Sequence, residues 1–445
     1  MRKLAILILG SLLFLYALSA EDWPQWRGPS GNAISDESGL PVHWSATDHI
    51  AWKASLDGLG ASSPIIWGDR IFVTSQKGRV PVQPGENPRL ARDDGELATR
   101  ENPMGGRTPQ HDSGGEVLLV VEAFRLSDGK RLWEYSAQAT GEFPRLHENH
   151  NLATPTPVTD GKVVYAWFGT GQLFALDYEG HPVWTRHLGT AYAPFDVSWG
   201  HGGSPVLYKN ALILLCDHGH HSYLLALDKA KGTELWKVAR GDALSHSTPL
   251  VIHGPTEDEL LVNSSERVDA YDPSDGKLLW YTGSPRQTPI PSPVFHDGVI
   301  YLVRGYRNSD FLAIQPGGRG DISSSHVLWH APSGASYVPS VLYYKGLLYV
   351  TNEVGIVTCA DAETGKTVWR KRIGGIFYAS PAAGDGKIYW SSETGETYVF
   401  SAGREGELLS KNDLGERIIA SPAISKGNLL LRSDATLFCI GNKRN

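Results

Sequence analysis

The chain has 445 residues, 41% hydrophobic and 20% charged, with 41 Lys and Arg against 48 Asp and Glu for a net charge of −7. A mildly acidic chain without a basic stripe is not built for nucleic acid, and three cysteines are too few for a disulfide scaffold. With 49 Gly, 14 Trp and 18 Tyr and no long amphipathic pattern, the composition points to an all-β fold rather than a helical one.

Taken in chain order, Met1-Arg2-Lys3, the apolar residues 4–18 and Ser19-Ala20 read as a secretory signal peptide cleaved near Ala20. The apolar run falls short of the roughly 20 residues of a membrane span, and no Cys follows it, so no integral membrane segment is expected after cleavage. The mature chain then carries 39 basic against 48 acidic residues, a net charge of −9. His49-Ile50-Ala51-Trp52-Lys53-Ala54 looks like an outer strand with no inner strands before it. From there a unit repeats eight times, opened by Ser63-Pro64, Thr156-Pro157, Ser204-Pro205, Thr248-Pro249, Ser292-Pro293, the inverted Pro339-Ser340, Ser380-Pro381 and Ser421-Pro422. From the second opening onward their second residues lie 48, 44, 44, 47, 41 and 41 positions apart, the period of a four-stranded propeller blade.

Each unit closes on a small-apolar-Asp step, a Gly, and a Trp four positions later: Gly129/Trp133, Gly180/Trp184, Gly232/Trp236, Gly276/Trp280 and Gly365/Trp369. The fifth unit reaches Trp329 after an insertion, and the seventh has Ser410 in place of Trp, which marks it as the weak blade. The last unit, residues 421–440, stops before its own outer strand. The expected fold is therefore an all-β, eight-bladed propeller of four-stranded antiparallel blades, residues 21–445 forming one domain. Its N-terminal strand, within residues 21–57, completes the C-terminal blade and removes exposed edges. A polar insert, residues 77–115, with six Lys or Arg against six Asp or Glu, is too polar to fold alone and reads as a lid or a disordered flap. Cys216, Cys359 and Cys439 read as small core residues.

The steps Ala226 to Trp236, Ala270 to Trp280 and Ala360 to Trp369 resemble the repeat of the pyrroloquinoline quinone (PQQ)-repeat propellers, and the resemblance covers nearly the whole mature chain. That family includes quinoprotein dehydrogenases, which use the quinone with calcium, and BamB-type assembly factors, which bind a partner. The chain departs from the dehydrogenases in lacking adjacent cysteines, and from BamB in lacking a lipid-bearing Cys.

The loops opening each unit and those between its second and third strands should share one face, where propellers bind. Histidine is concentrated there on blades two to four. The ligand-binding candidates are His147, Glu148, His150, His201, Asp217, His218, His220, His221 and His246, joined by Arg286, Arg304, Tyr337 and Arg432, with Glu353, Tyr378 and Arg417 on the same face. His150, His201 and His218 are the candidate metal ligands, although no segment has a tight metal-binding spacing. Such residues otherwise serve as polar rim groups bonding loop backbone and water. No nucleophile elbow, phosphate loop or dinucleotide fingerprint is present. The expected function is a periplasmic or secreted, non-catalytic binding protein for a protein, peptide or glycan. No cofactor is firmly implied; the alternative is an oxidoreductase using PQQ with calcium or another divalent metal.

Overall fold

The computed structural model describes residues 22–441 apart from 79, 81–115, 145, 148, 196, 198, 255, 284–288, 306–310 and 332–335. Residues 1–20, expected to be a signal segment, and nearly all of the polar insert thus lie outside the described residues. Eight antiparallel four-stranded sheets form the ring, and inner strands of neighbouring blades lie side by side. In blade three the second strand, Ala211–Cys216, is wholly buried and the fourth, Glu234–Gly241, alternates exposed and half-buried. The reason is that neighbouring blades cover both faces of the middle strands, which therefore read as continuous apolar runs. No described helix is long and apolar enough to cross a membrane.

The Ser/Thr-Pro openings carry a bonding role beyond turn formation. Ser63 N–H donates to Thr156 Oγ1, Thr156 N–H to Ser204 Oγ, Ser204 N–H to Thr248 Oγ1 and Thr248 N–H to Ser292 Oγ. Ser292, Ser340 and Ser380 continue the relay onto Ser340, Ser380 and Ser421, each at 2.9 Å. Seven joints are thus tied by one hydroxyl each. At the eighth, between blades eight and one, Ser63 Oγ has no partner, and buried Arg432 crosses instead to the Thr74 carbonyl (2.6 Å) and Ser75 Oγ (2.9 Å).

The Gly/Trp step also works between blades. The indole Nε1–H of Trp133 donates to the Tyr178 carbonyl (2.9 Å), that of Trp184 to Lys229 (2.9 Å) and that of Trp329 to Ala362 (3.1 Å). Each ring lies on the Gly of the next blade; a Cβ at Gly180 or Gly232 would sit 2.6 or 2.7 Å from the indole. Both glycines also have positive φ, 90° and 67°, so both geometry and space demand Gly. Trp280 differs because the insertion in blade five sends Gly320–Asp321 back to pair with Trp280–Tyr281, burying the indole completely.

Closure is as expected: Ile50–Ser55 pairs antiparallel with Thr436–Ile440 and completes blade eight. The weakness expected at blade seven is corrected by the lead-in. Ser410 Oγ and Asn412 Nδ2 both donate to the Val42 carbonyl, and Trp44, 5% exposed, packs on Tyr389 at 6.5 Å. Tyr389 stands where Tyr165 and Tyr349 stand in their blades, each against that blade's own Trp. Trp44 therefore fills the wedge that Ser410 leaves.

The remainder of the lead-in crosses the ring at the end opposite the opening loops. Trp23 pairs with Ile66 of blade one, and Thr159 N–H of blade two donates to the Pro24 carbonyl. Asn32 Nδ2 donates to Phe295 of blade five. Ile34–Ser35 adds a parallel strand to blade seven. Glu37 accepts from the Lys426 and Gly427 amides in the turn of blade eight.

Candidate functional site

The strand directions place the loops of residues 147–151, 199–202, 217–221 and 245–247 together at the opening-loop end, and several of the candidate histidines do converge. They do so as packing groups. His201, 1% exposed, lies against Trp167 with ring centroids 4.1 Å apart, and His218 against Phe195 at 4.3 Å. They fill the wedge between blades two and three. Gly200, at φ 91°, is required beside them, since a Cβ would lie 2.6 Å from His150 Nδ1.

Burial holds these imidazoles neutral. It pushes His150 down to about 3, aided by repulsion from His246 and His147, and His218 and His246 to about 4 each. His201 is pushed well down as well, by burial and then by His218, His246 and His150. The expected metal trio is not assembled, because His150, His201 and His218 are not among groups with three ligand atoms within 4.8 Å. His220 and His221 are exposed, His220 facing Asp242 at 3.6 Å. His147 edges onto Trp199 at 5.8 Å.

Asp217 is corrected from a rim ligand to the anchor of a buried ion pair. Its two oxygens take Arg240 Nε (2.7 Å) and Nη2 (3.0 Å), and Arg240 Nη1 reaches Asp269 (2.9 Å) and the Tyr271 hydroxyl. Burial raises the Asp217 carboxyl and Arg240 opposes that rise, so the guanidinium and two carboxylates lock blade three to blade four. Arg304, fully buried, donates to Asn263 Oδ1 (3.1 Å) and belongs to the joint between blades four and five. Arg432, 1% exposed, belongs to the closing joint; burial lowers its guanidinium to about 10. Tyr337 N–H donates to Glu353 Oε1 (2.6 Å) on the opening-loop face. Glu148 and Arg286 lie outside the described residues.

The partners of the sequence candidate Arg417, and a group of three carboxylates, had no sequence signal. Arg417 gathers Glu393 (2.8 Å), Asp434 and, across blade one, the side chain of Asn149, so the loop of residues 147–151 is tied toward blade eight. Asp57, Glu122 and Glu134 are the one described carboxylate group tight enough for a cation. It is already neutralised by Arg131 (2.6 Å to Asp57, 3.0 Å to Glu134) and Lys77 (2.8 Å to Glu134), while Arg432 opposes the upward push of burial on Glu122.

A quinone with calcium would need several convergent oxygen ligands. The described residues do not fit: the carboxylate trio is saturated by cations, and Cys216, Cys359 and Cys439 are buried in three separate blades. No reaction step follows from such a group here.

Comparison with known proteins agrees with this architecture. Tetrathionate hydrolase of Acidithiobacillus ferrooxidans is 24% identical over 369 residues, covering 77% of this chain and 65% of that protein. Outer membrane protein assembly factor BamB of Yersinia pestis is 24% identical over 266 residues, 56% of this chain and 61% of the relative. The chain thus spans under two thirds of the length of these relatives. Among solved structures, BamB from Moraxella catarrhalis aligns with a TM-score of 0.53 at 14% identity, over 73% of this chain and 89% of that one. Quinohemoprotein alcohol dehydrogenase from Comamonas testosteroni aligns with 0.64 at 12% identity, over 96% and 81%; at such identities the likeness is one of fold. The family profile described as outer membrane protein assembly factor BamB matches residues 119–371, 321–411 and 353–440. The chain is a member of that PQQ-repeat propeller family.

Proposed function

We propose that the protein is a non-catalytic, periplasmic or secreted propeller that binds a protein, peptide or glycan partner on its opening-loop face. The observation that carries this reading is the asymmetry of the ring. The lead-in covers the opposite end through contacts with blades one, two, five, seven and eight. The opening-loop face keeps exposed His220, His221 and Val354, the last at 54%. The groups that would do proton or metal chemistry there are buried as neutral imidazoles or tied in ion pairs between blades, an arrangement that builds a rigid platform for recognition. Membership of a family described by an assembly factor supports the same reading.

The test is a photo-crosslinking residue placed at His220 or Val354, and separately at Lys345 in a turn on the opposite face. Discrete adducts from the first two alone are expected in the producing cell. Equal adducts from Lys345 would refute the assignment of the face.

A further inference from the structure

The segment that crosses the ring carries a buried charge for which the described residues supply no carboxylate. Pro24 is held by blade two and Asn32 by blade five, so the segment between them crosses the ring. Arg27 lies on that crossing, and its Nη2 donates to the Val341 carbonyl of blade six at 2.5 Å, across the ring from blade two. The guanidinium is thereby set at the inner side of blade six, one residue from Ser340 of the hydroxyl circle.

Three observations on Arg27 converge. Its backbone is at φ 63°, a region that costs a non-glycine residue energy and that persists where the surroundings impose it. The residue is 2% exposed. Nε and Nη1 have no acceptor among the described residues, and burial alone, with no carboxylate opposing it, lowers the guanidinium to about 9. Its partners are neutral, the Val341 and Asn32 carbonyls and the Trp26 ring at 5.7 Å, so among the described residues this buried cation has no counter-ion, a costly state.

Ser340, the residue before Val341, belongs to a second set of donors. In the hydroxyl circle each Oγ accepts an amide N–H, which leaves its own hydrogen to donate; none of Thr156, Ser204, Ser340, Ser380 or Ser421 has an acceptor for it among the described residues. A buried cation with Nε–H and Nη1–H left without acceptors selects an acceptor-rich ligand.

We propose that the Arg27 guanidinium, on the segment crossing the ring and one residue from Ser340, is an anion site that holds a sulfate or phosphate ion or the carboxylate of an organic ligand. The site is independent of partner docking on the opening-loop face, and its failure leaves that reading untouched.

The experiment is calorimetric titration of the native protein and of Arg27→Met with sodium sulfate, phosphate and acetate at constant ionic strength. Saturable binding is expected in the native protein and a loss of about tenfold or more in R27M, the effect of removing charge-assisted bonds. Saturation by sulfate or phosphate alone assigns an inorganic oxyanion, and saturation by acetate as well assigns a carboxylate. Absence of saturable heat with all three, or equal isotherms for the two proteins, overturns the proposal. If R27M does not fold, the native melting temperature decides. A bound ion raises it along a saturating logarithmic curve, whereas general exclusion of sulfate and phosphate raises it without saturation and would overturn the site.

Discussion

At the residue scale the histidines teach the most. Seven of them were grouped by sequence as a ligand-rich mouth, and proximity was the part that sequence could supply. Whether an imidazole faces solvent or an indole depends on which loop folds over which, and no local pattern records that. Their burial has a measurable consequence. A histidine whose folded value lies near 3 or 4, as for His150, His218 and His246, takes up its proton first in the unfolded chain, near 6.5. The unfolded state therefore binds more protons between about pH 4 and 6.5, and stability, full above that window, is lost as pH falls through it. Each such imidazole contributes about 1.4 kcal/mol per pH unit there at most. The urea midpoint should fall steeply from pH 6.5 to 4.5, and His218→Phe, which keeps an aromatic ring between Phe195 and Tyr223, should fall less; parallel curves for the two would show that His218 does not titrate on unfolding. Asp217→Asn is the complementary case. It leaves Arg240 buried with one of its two carboxylates gone, and the expected cost is about 3–5 kcal/mol in chemical denaturation. A cost below about 1 kcal/mol would mean that Asp269 and Tyr271 suffice.

Individual blades, the next scale up, were legible because they are repeats. Four strands, a Gly and a Trp recur, and a local turn fixes each. The bonds between blades were not legible, although the residues making them were in plain view. The Ser/Thr hydroxyls that mark the opening of each unit also bridge to the preceding blade's amide. The Gly before each Trp, at positive φ in its turn, is also the seat for the previous blade's indole. Blade seven shows the limit most clearly. Ser410 broke the pattern, and the compensating Trp44 lies 366 positions away in sequence, in a segment without strands that local reading cannot connect to it. Trp44→Ala should cost about 3–5 kcal/mol, as for other buried aromatics, and hydrogen exchange of that variant should show blade seven opening first. Unchanged exchange in residues 387–413 would show that the lead-in does not replace the missing Trp.

For the whole molecule, the closing strand Ile50–Ser55 shuts the ring by joining the last described strands in blade eight, and the lead-in before it crosses the ring. Their contributions separate by truncation. Removing residues 22–48 keeps the outer strand of blade eight, Ile50–Ser55, and keeps Trp52, whose Nε1 donates to the Leu126 carbonyl of blade one at 2.8 Å. The joint between blades eight and one therefore survives, and this protein should remain a monomer with a lower melting temperature, having lost Trp44 and the crossing segment. Removing residues 22–57 does more. It bares the full edge of Thr436–Ile440, which pairs in register with the missing strand from Thr436↔Ser55 to Ile440↔Ile50, and it uncovers Gly129, the seat of Trp52. An apolar, unpaired strand edge is a template for another chain, so the expected product is oligomer or aggregate by size-exclusion chromatography with light scattering. The longer deletion also removes Asp57 from the ion network with Arg131 and Lys77, which leaves two cations to share Glu134 and the buried Glu122. The difference between the two truncations isolates the closing strand from the crossing segment, because both proteins lack Arg27 and Trp44 alike. A protein without residues 22–57 that stays monomeric and melts where the 22–48 deletion melts would show that the ring is held shut by the joints between blades alone, and that the closing strand adds nothing to it.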